Sequence, residues 1–600
     1  MGKAARQKRL RRSEAPPRWP SPTPSNAEPR RKRLRAEHFA AALLVAAGLV
    51  AYHNALRGPF VLDDLYAIAR NPTIRTLWPP WGVLSPPAHS AVTGRPLVNL
   101  SLALNYAFGG LEVASYHVFN LAIHVLAALV LFGVIRRAFG TPGLRARYRD
   151  QALGIATAAA LLWVIHPLIT ESVNYTIQRT ELLMGLFFLL TLYCALRGFE
   201  SPERPGWHAA ALAAFALGMG SKEVILVAPA VVLAYDWLFH SKSLTEALRR
   251  HRRLYAGFAV ILVLLTLLIG TRLRRTIAGL GSHAVSPWDY AKTECGVIVH
   301  YLRLAFWPDA LAADYDGWPI ATSATSVLPS LMVVVALIAL TLWGVVQRKK
   351  LAFLGVWFFA ILAPTSSFKP MPAEVAAERR MYLPLAAVLF LVVLGGQALL
   401  HSLRARAVGT PLVAALAATL TFVTVRRNND YRTTLSFWSD VVAKRPDNPR
   451  ARRWLGDYLY KDGRSAEALE HLATAVRLRP EDGQGQYSLG VALASLGRRD
   501  DAIDHYREAL RIDPENAPAH NNLGIVLAER GESDEAIGHY HESIRIDPAH
   551  AGAHYNLALA LGGRGRIEEA IRNLEAATRL KPDFPEARRA LEDFRRRAGR

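Results

Sequence analysis

Residues 509–514 read Ala509-Leu510-Arg511-Ile512-Asp513-Pro514, and this grammar returns throughout the end of a 600-residue chain. Pro446, Pro480, Pro514, Pro548 and Pro582 recur at intervals of 34. Gly456, Gly490 and Gly524 repeat at the same spacing, with Ala558 taking the small position in the fourth copy. Ala468, Ala502, Ala536 and Ala570 keep it too. Small residues recur where two helices cross closely, and Leu472, Tyr506, Tyr540 and Leu574 supply the large side chain for the facing hole.

The unit resembles the tetratricopeptide repeat, a helix–turn–helix of about 34 residues. Four full repeats are expected over 449–584, preceded by a half repeat at about 431–445 and closed by a helix at 585–597. Stacked units of this kind present a concave, partner-binding surface rather than a catalyst. The repeat domain is drawn as 427–600.

Upstream the composition changes. The chain is 51% hydrophobic and 20% charged, and the apolar residues gather in blocks between about 38 and 425. Blocks of roughly 16 to 22 residues read as membrane spans, because about 20 cross the hydrocarbon core. They fall at 38–56, 113–135, 152–166, 180–197, 207–220, 223–239, 254–270, 327–346, 351–366, 381–400 and 410–425. The predicted fold is therefore all-α: a polytopic membrane helix bundle of about eleven spans over 38–426, then an α-solenoid.

The net charge of +23 sits mostly in the N-terminal tail and in short loops between apolar blocks. Cytoplasmic anchoring by Lys and Arg accounts for it, and nucleic acid is not the expected partner. Residues 1–37 are expected to be a disordered, basic cytoplasmic tail. Arg136, Arg137, Arg145, Arg147 and Arg149 mark an inner loop, as do Lys242 with Arg249, Arg250, Arg252 and Arg253, then Arg348-Lys349-Lys350, then Arg404 and Arg406. The alternation puts the N-terminus inside and the repeats outside. Arg272, Arg274 and Arg275 run against it. Segment 288–307 is apolar but broken by Lys292, Glu294, His300 and Arg303, and reads as interfacial or re-entrant. Cys194 and Cys295 are the only cysteines, so no disulfide framework is expected.

Polar groups concentrate on the outer side of this topology. Asp63 and Asp64 follow the first span and open an outer loop, 57–111. Taken alone, the pair reads first as a solvated loop edge or a cap for the next helix, and the rest of the chain reverses that reading. His117, Asn120 and His124 share one helix face by their i, i+3, i+7 spacing. His166, Glu171, Arg179 and Glu181 follow, then Lys222 and Glu223, then Glu374, Glu378, Arg379 and Arg380. A charge at membrane depth costs at least ~2.5–3.5 kcal/mol on insertion scales, so a one-sided set of this size points to function.

The motifs Phe60-Val61-Leu62-Asp63-Asp64, Arg95-Pro96-Leu97, Tyr116-His117-x-x-Asn120-x-x-x-His124, His166-Pro167-x-x-Thr170-Glu171, Arg179-x-Glu181, Lys222-Glu223 and Glu378-Arg379-x-x-Tyr382-Leu383-Pro384 together resemble the membrane protein O-mannosyltransferases that carry transmembrane and tetratricopeptide repeats. That family belongs to the GT-C superfamily of glycosyltransferases. The resemblance implies transfer of mannose, or a related sugar, from a polyprenyl-phosphate carrier to Ser or Thr hydroxyls of exported proteins, with the repeats recruiting the acceptor. Gly94 departs from the family, whose eukaryotic members often have Tyr before Arg-Pro-Leu. The Ala- and Arg-rich composition fits a high-GC bacterium and an inner-membrane location.

Such a transfer needs a base for the hydroxyl proton and cationic donors at the departing phosphate. By the resemblance Asp63 is the base, and Asp64 its orienting partner or a metal contact. Arg95, Arg179 and Arg379 are the phosphate candidates. His117, Asn120, His124, His166, Glu171, Glu181, Lys222, Glu223 and Glu378 are expected to line the site. No cofactor is firmly implied, but His117, His124 and the Asp pair form an alternative divalent-ion set. The competing reading is an inert membrane-anchored scaffold for envelope complexes. A transporter would instead place its charges near the bilayer midplane on broken helices.

Overall fold

The computed structural model describes residues 27–88, 90–278, 285–367, 370–371 and 374–599. Most of the tail expected at 1–37 lies outside them. Residues 27–37, however, belong to the first helix, which starts earlier than the apolar block does. The described residues form helices and turns with no strands.

The longer helices of the first part are α1 (Ala27–Tyr52), α2 (Pro96–Gly109), α3 (Val113–Ala138), α4 (Ala152–Val164), α5 (Arg179–Glu200), α6 (Gly206–Met219), α7 (Ala228–Phe239) and α8 (Arg252–Ala278). After them come α9 (Pro287–Phe306), α10 (Ala324–Val346), α11 (Ala352–Leu362), α12 (Pro384–Ser402) and α13 (Gly409–Asn428). Each apolar block of the sequence is thus a helix. Among the described residues six helices are long and apolar enough to cross a membrane, and up to eight if two bent pairs each count as one span. One pair bends by 51° after α4, where Pro167 follows His166 and drives it into extended backbone (ψ 129°). The side chains of Arg272, Arg274 and Arg275 lie outside the described residues. Helix α9 is amphipathic: Tyr290, Thr293, Glu294, Val297, Ile298, Tyr301, Leu304 and Ala305 form its buried face.

The bundle has two chemically different ends. At one end the Arg348 guanidinium gathers the carbonyls of Trp237, Ser241 and Lys242, and the Lys350 ammonium reaches Thr141. The loops carrying the predicted site residues meet at the other end.

Beyond α13, helix α14 (Thr434–Lys444) enters the solenoid. Its Trp438 stacks on Trp454 at 6.0 Å and 7°, and a Thr433/Ser436 capping box starts it. The repeats follow as α15 (Pro449–Lys461), α16 (Ser465–Leu478), α17 (Gly483–Ser495), α18 (Arg499–Ile512), α19 (Ala517–Arg530), α20 (Ser533–Ile546), α21 (Ala551–Gly563) and α22 (Ile567–Leu580), closed by α23 (Pro585–Arg597). The repeated glycines act as the spacing predicts. A Cβ on Gly456, Gly490 or Gly524 would sit 2.5, 2.7 or 2.6 Å from Leu472, Tyr506 or Tyr540. Close crossing is what forbids a side chain there.

The solenoid is bonded to the membrane part through loop 307–323. Arg450 pairs with Asp314 and Asp316 at 3.4 Å each, and Arg479 reaches Asp316 at 3.0 Å.

Candidate active site

The turn 60–64 is tightened by Leu62, which sits at φ 49°, the left-handed region a branched residue rarely adopts. The Asp63 N–H donates to the Tyr175 hydroxyl at 3.0 Å, and the Asp63 side chain is left facing solvent. Asp64 turns the opposite way and is fully buried. One of its oxygens accepts the Val61 N–H at 3.1 Å and the other the Ile177 N–H at 2.7 Å. Asp64 therefore ties turn 60–64 to turn 175–178. Held by these two backbone N–H groups, Asp64 fixes the turn that presents Asp63.

Electrostatics separate the pair further. Burial, then the Glu374 carboxylate, push the Asp63 pKa above the ordinary range, while Arg379, Tyr175 and Arg450 pull it back. Burial drives Asp64 up to about 8 against the pull of its two N–H donors. A carboxylate that solvent reaches, with a raised proton affinity, is suited to accept a proton.

Arg379 acts electrostatically on Asp63. Its guanidinium pairs with Glu171 and, at 2.5 Å, with Glu374, and its N–H donates to the second Glu171 oxygen at 2.9 Å. Arg379 in turn holds the Glu374 carboxyl down to about 2. Glu171 is buried, whereas the Glu374 side chain is 41% exposed, so Glu374 is the partner an incoming anion can displace. Lys222 pairs with Glu181 and acts electrostatically on Glu374. Arg95 reaches Glu223 at 3.7 Å, both partly exposed. Gly94 before it sits at φ 74° with open space around its Cβ position, a backbone turn that a larger residue would strain.

The remaining predicted residues are structural. Arg179 is fully buried. Its Nε donates to Asn120 at 2.7 Å, and its terminal nitrogens donate to the carbonyls of Ser101 and Tyr116 at 3.2 and 3.0 Å. No face of it is open to a lipid phosphate, so that assignment is corrected. Asn120 also donates to the Thr176 carbonyl at 3.1 Å. His117 Nε2 lies 3.0 Å from the Gly58 carbonyl. Both His124 nitrogens are engaged, by the Tyr382 hydroxyl at 3.1 Å and the Val164 carbonyl at 2.9 Å. His166 accepts the Leu168 N–H and contacts the Ala305 carbonyl. Glu378 is fully buried and accepts the Ala312 N–H at 2.6 Å and the Tyr315 hydroxyl at 2.8 Å. His117, Asn120, His124, His166, Glu171, Glu181 and Glu378 hold the scaffold under the site rather than lining it. The alternative divalent-ion set of His117, His124 and the Asp pair is not assembled. Among the described residues no three His, Cys, Asp or Glu side chains converge as metal ligands.

The site therefore sets the exposed or partly exposed Asp63, Glu374, Arg95 and Glu223 against the largely buried cations Arg379 and Lys222. Sequence reasoning missed Tyr175, Asp314, Asp316 and Arg450. The segment Asp314-Tyr315-Asp316-Gly317 carried a signal, two acids flanking an aromatic before a turn glycine, in a loop that has no need of a buried charge.

Comparisons with known proteins match two parts of the chain. Residues 93–269 match the dolichyl-phosphate-mannose-protein mannosyltransferase family model. Tetratricopeptide models match 425–483, 455–517, 487–551 and 527–593. The mannosyltransferase match takes in Arg95, Lys222 and Glu223 but stops short of Asp63 and Arg379. The chain is 25% identical to a Caenorhabditis elegans protein O-mannosyl-transferase, over 73% of this chain and 62% of that protein. It is 26% identical to human protein O-mannosyl-transferase TMTC1, over 73% of this chain and 55% of that protein. With mouse protein O-mannosyl-transferase TMTC2 it shares 30% identity over 38% of this chain and 28% of that one. The chain thus spans 62% and 55% of the length of the first two relatives. A mannosyltransferase segment followed by tetratricopeptide repeats is the combination its motifs led us to expect.

Proposed function

We propose that this chain is a membrane glycosyltransferase that moves mannose, or a related sugar, from a polyprenyl-phosphate carrier to Ser or Thr hydroxyls of exported proteins. The observation that carries this reading is the contrast at residues 63 and 64. Among the crowded acids at this end of the bundle, the Asp63 carboxylate faces solvent within the field of Arg379.

The acceptor hydroxyl gives its proton to Asp63 as its oxygen bonds to the anomeric carbon. The bond from that carbon to the phosphate oxygen breaks, and the phosphate leaves with the electron pair. Arg95 meets the departing charge, and Arg379 joins it when phosphate displaces the exposed Glu374. Arg suits this work because its planar fork matches phosphate oxygens. The site faces the outer or periplasmic side, with the basic loops in the cytoplasm holding that orientation. The repeats recruit the polypeptide acceptor.

The test supplies purified protein with a polyprenyl-phosphate mannose and a Ser/Thr-rich peptide, and follows the peptide by mass spectrometry. The reading requires the peptide to gain a hexose. An unmodified peptide across several lipid-linked sugars would favour the scaffold.

A further inference from the structure

Loop 307–323 joins α9 to α10 and lies between the site and the first repeat. On its repeat side, Asp314 and Asp316 take Arg450, and Asp316 also takes Arg479. Asn448 donates to the Asp314 carbonyl at 3.2 Å, and Lys444 donates to the Leu311 carbonyl at 2.8 Å. On its other side, the Ala312 N–H and the Tyr315 hydroxyl both donate to one oxygen of Glu378. Glu378 directly precedes Arg379, a cation that acts electrostatically on Asp63. Two layers of the molecule thus share one loop of seventeen residues, and its polar contacts run unbroken from repeat to site.

We propose that the first repeat is a working part of this site: Arg450, braced on Asp314 and Asp316, positions the Asp63–Arg379 pair through loop 307–323. The inference rests on the transferase reading above for its consequence, though not for its geometry. Asp314 and Asp316 are 8% and 6% exposed. Removing Arg450 leaves Asp314 a buried carboxylate without its guanidinium, and such a group moves toward water or takes up a proton. The loop has little slack in which to do either. Gly317 sits at φ 77°, and a Cβ there would lie 3.0 Å from the Asp447 carbonyl and 3.1 Å from Pro449, so loop and repeat backbones are in near contact. A shift of the loop therefore reaches Ala312, Glu378 and Arg379.

Arg450 also contributes its charge. The groups facing Asp63 are Asp64 on its own turn, Tyr175, Glu374 and Arg379 before α12, and Arg450 on α15. Glu374 raises the Asp63 proton affinity, and Arg379, Tyr175 and Arg450 lower it. The peptide-binding solenoid and the proton acceptor are in this way one electrostatic unit, with Arg450 a positioning residue.

The test uses the full chain carrying Arg450→Ala, Arg450→Lys or Asp316→Asn, with two readouts. Hydrogen–deuterium exchange reports whether segment 374–382 loosens. The pH profile of sugar transfer reports whether the acidic limb moves. Arg450→Ala is expected to raise exchange in both 309–318 and 374–382, and to move the limb upward by about 0.3–0.7 of a unit, the size of one partly exposed charge pair. Arg450→Lys should restore the limb. Asp316→Asn, which keeps the cation, should loosen 309–318 and 374–382 while moving the limb less. Exchange confined to 309–318, or a limb that stays in place in a folded, active Arg450→Ala protein, overturns the proposal. If the wild-type protein transfers no sugar at all, the transferase reading fails, and exchange at 374–382 still decides whether loop and site are coupled.

Discussion

Asp63 and Asp64 are neighbours in the chain and belong to different regions of the molecule. Asp64 is part of a buried scaffold in which Arg179, Asn120 and His124 spend their polar atoms on backbone and on each other, and His117 and Glu378 are each anchored through one atom. Asp63 belongs to the open face above it, where its carboxylate meets solvent within the field of Arg379 and Glu374. The difference teaches that a crowd of polar residues at one end of a helix bundle does two jobs. Loops that return to the bundle end must satisfy their backbone groups away from water, and buried side chains do that. Chemistry needs a group whose lone pairs are uncommitted, and few of the crowd qualify. A buried polar group held by hydrogen bonds costs much to disturb, which is why it makes a good scaffold and a poor reactant.

Removing charge from each region in turn tests that division. Asp63→Asn keeps size and backbone geometry but takes away the carboxylate proposed as the proton acceptor. Transfer to a Ser/Thr peptide should fall by about 10²–10⁴-fold, about 3–5 kcal/mol of barrier, with an unchanged thermal midpoint in detergent. Arg179→Gln should behave in the opposite way. It removes a buried guanidinium from three acceptors and should cost about 3–5 kcal/mol of stability, with the rate per folded molecule preserved. A well-folded Arg179→Gln protein with weakened donor binding would move Arg179 to the open face.

Asp64→Asn is the smaller structural change. Its amide cannot accept at both positions, so one of the Val61 or Ile177 N–H groups loses its partner, at about 1–3 kcal/mol. Asp64 also sets a pH dependence whose sign follows from its raised pKa of about 8. The folded state favours the protonated form, so the stability it contributes is present at acidic pH and is lost as pH climbs from the ordinary carboxylate range through about 8. Asp64→Asn should flatten that slope in thermal melts between pH 5 and about 8. A melt that steepens or keeps its slope would show that another group sets it.

The sequence was most legible where periodicity does the work. Five prolines at a fixed interval place the solenoid, and its closing helix, Pro585–Arg597, falls where the repeat ends. Apolar block length found the helices of the bundle, and the motifs found the residues that meet at one end of it. What a linear reading could not reach was direction. The turn at Leu62 decides which carboxylate points to water, and a dipeptide carries no trace of it. The i, i+3, i+7 stripe of His117, Asn120 and His124 is real, yet it faces protein: one member binds Gly58, the next Thr176, the last Val164 and Tyr382. Spacing reports a shared face and not what that face meets. Loop 307–323 was missed because its partners, Arg450 and Arg479, lie more than a hundred residues away in a region read as a separate module.

The most direct measurement of the central claim is the pH dependence of transfer by the wild-type protein and by Asp63→Asn. If Asp63 is the base, the rate depends on its carboxylate form and falls as pH drops through its pKa. That pKa is raised above the ordinary aspartate range, so the loss begins at higher pH than an unperturbed aspartate, near ~3.9, would give. The account predicts this acidic limb in the wild type and its absence from the residual activity of Asp63→Asn. The same limb in both proteins would contradict it, and would assign the proton to a group other than Asp63.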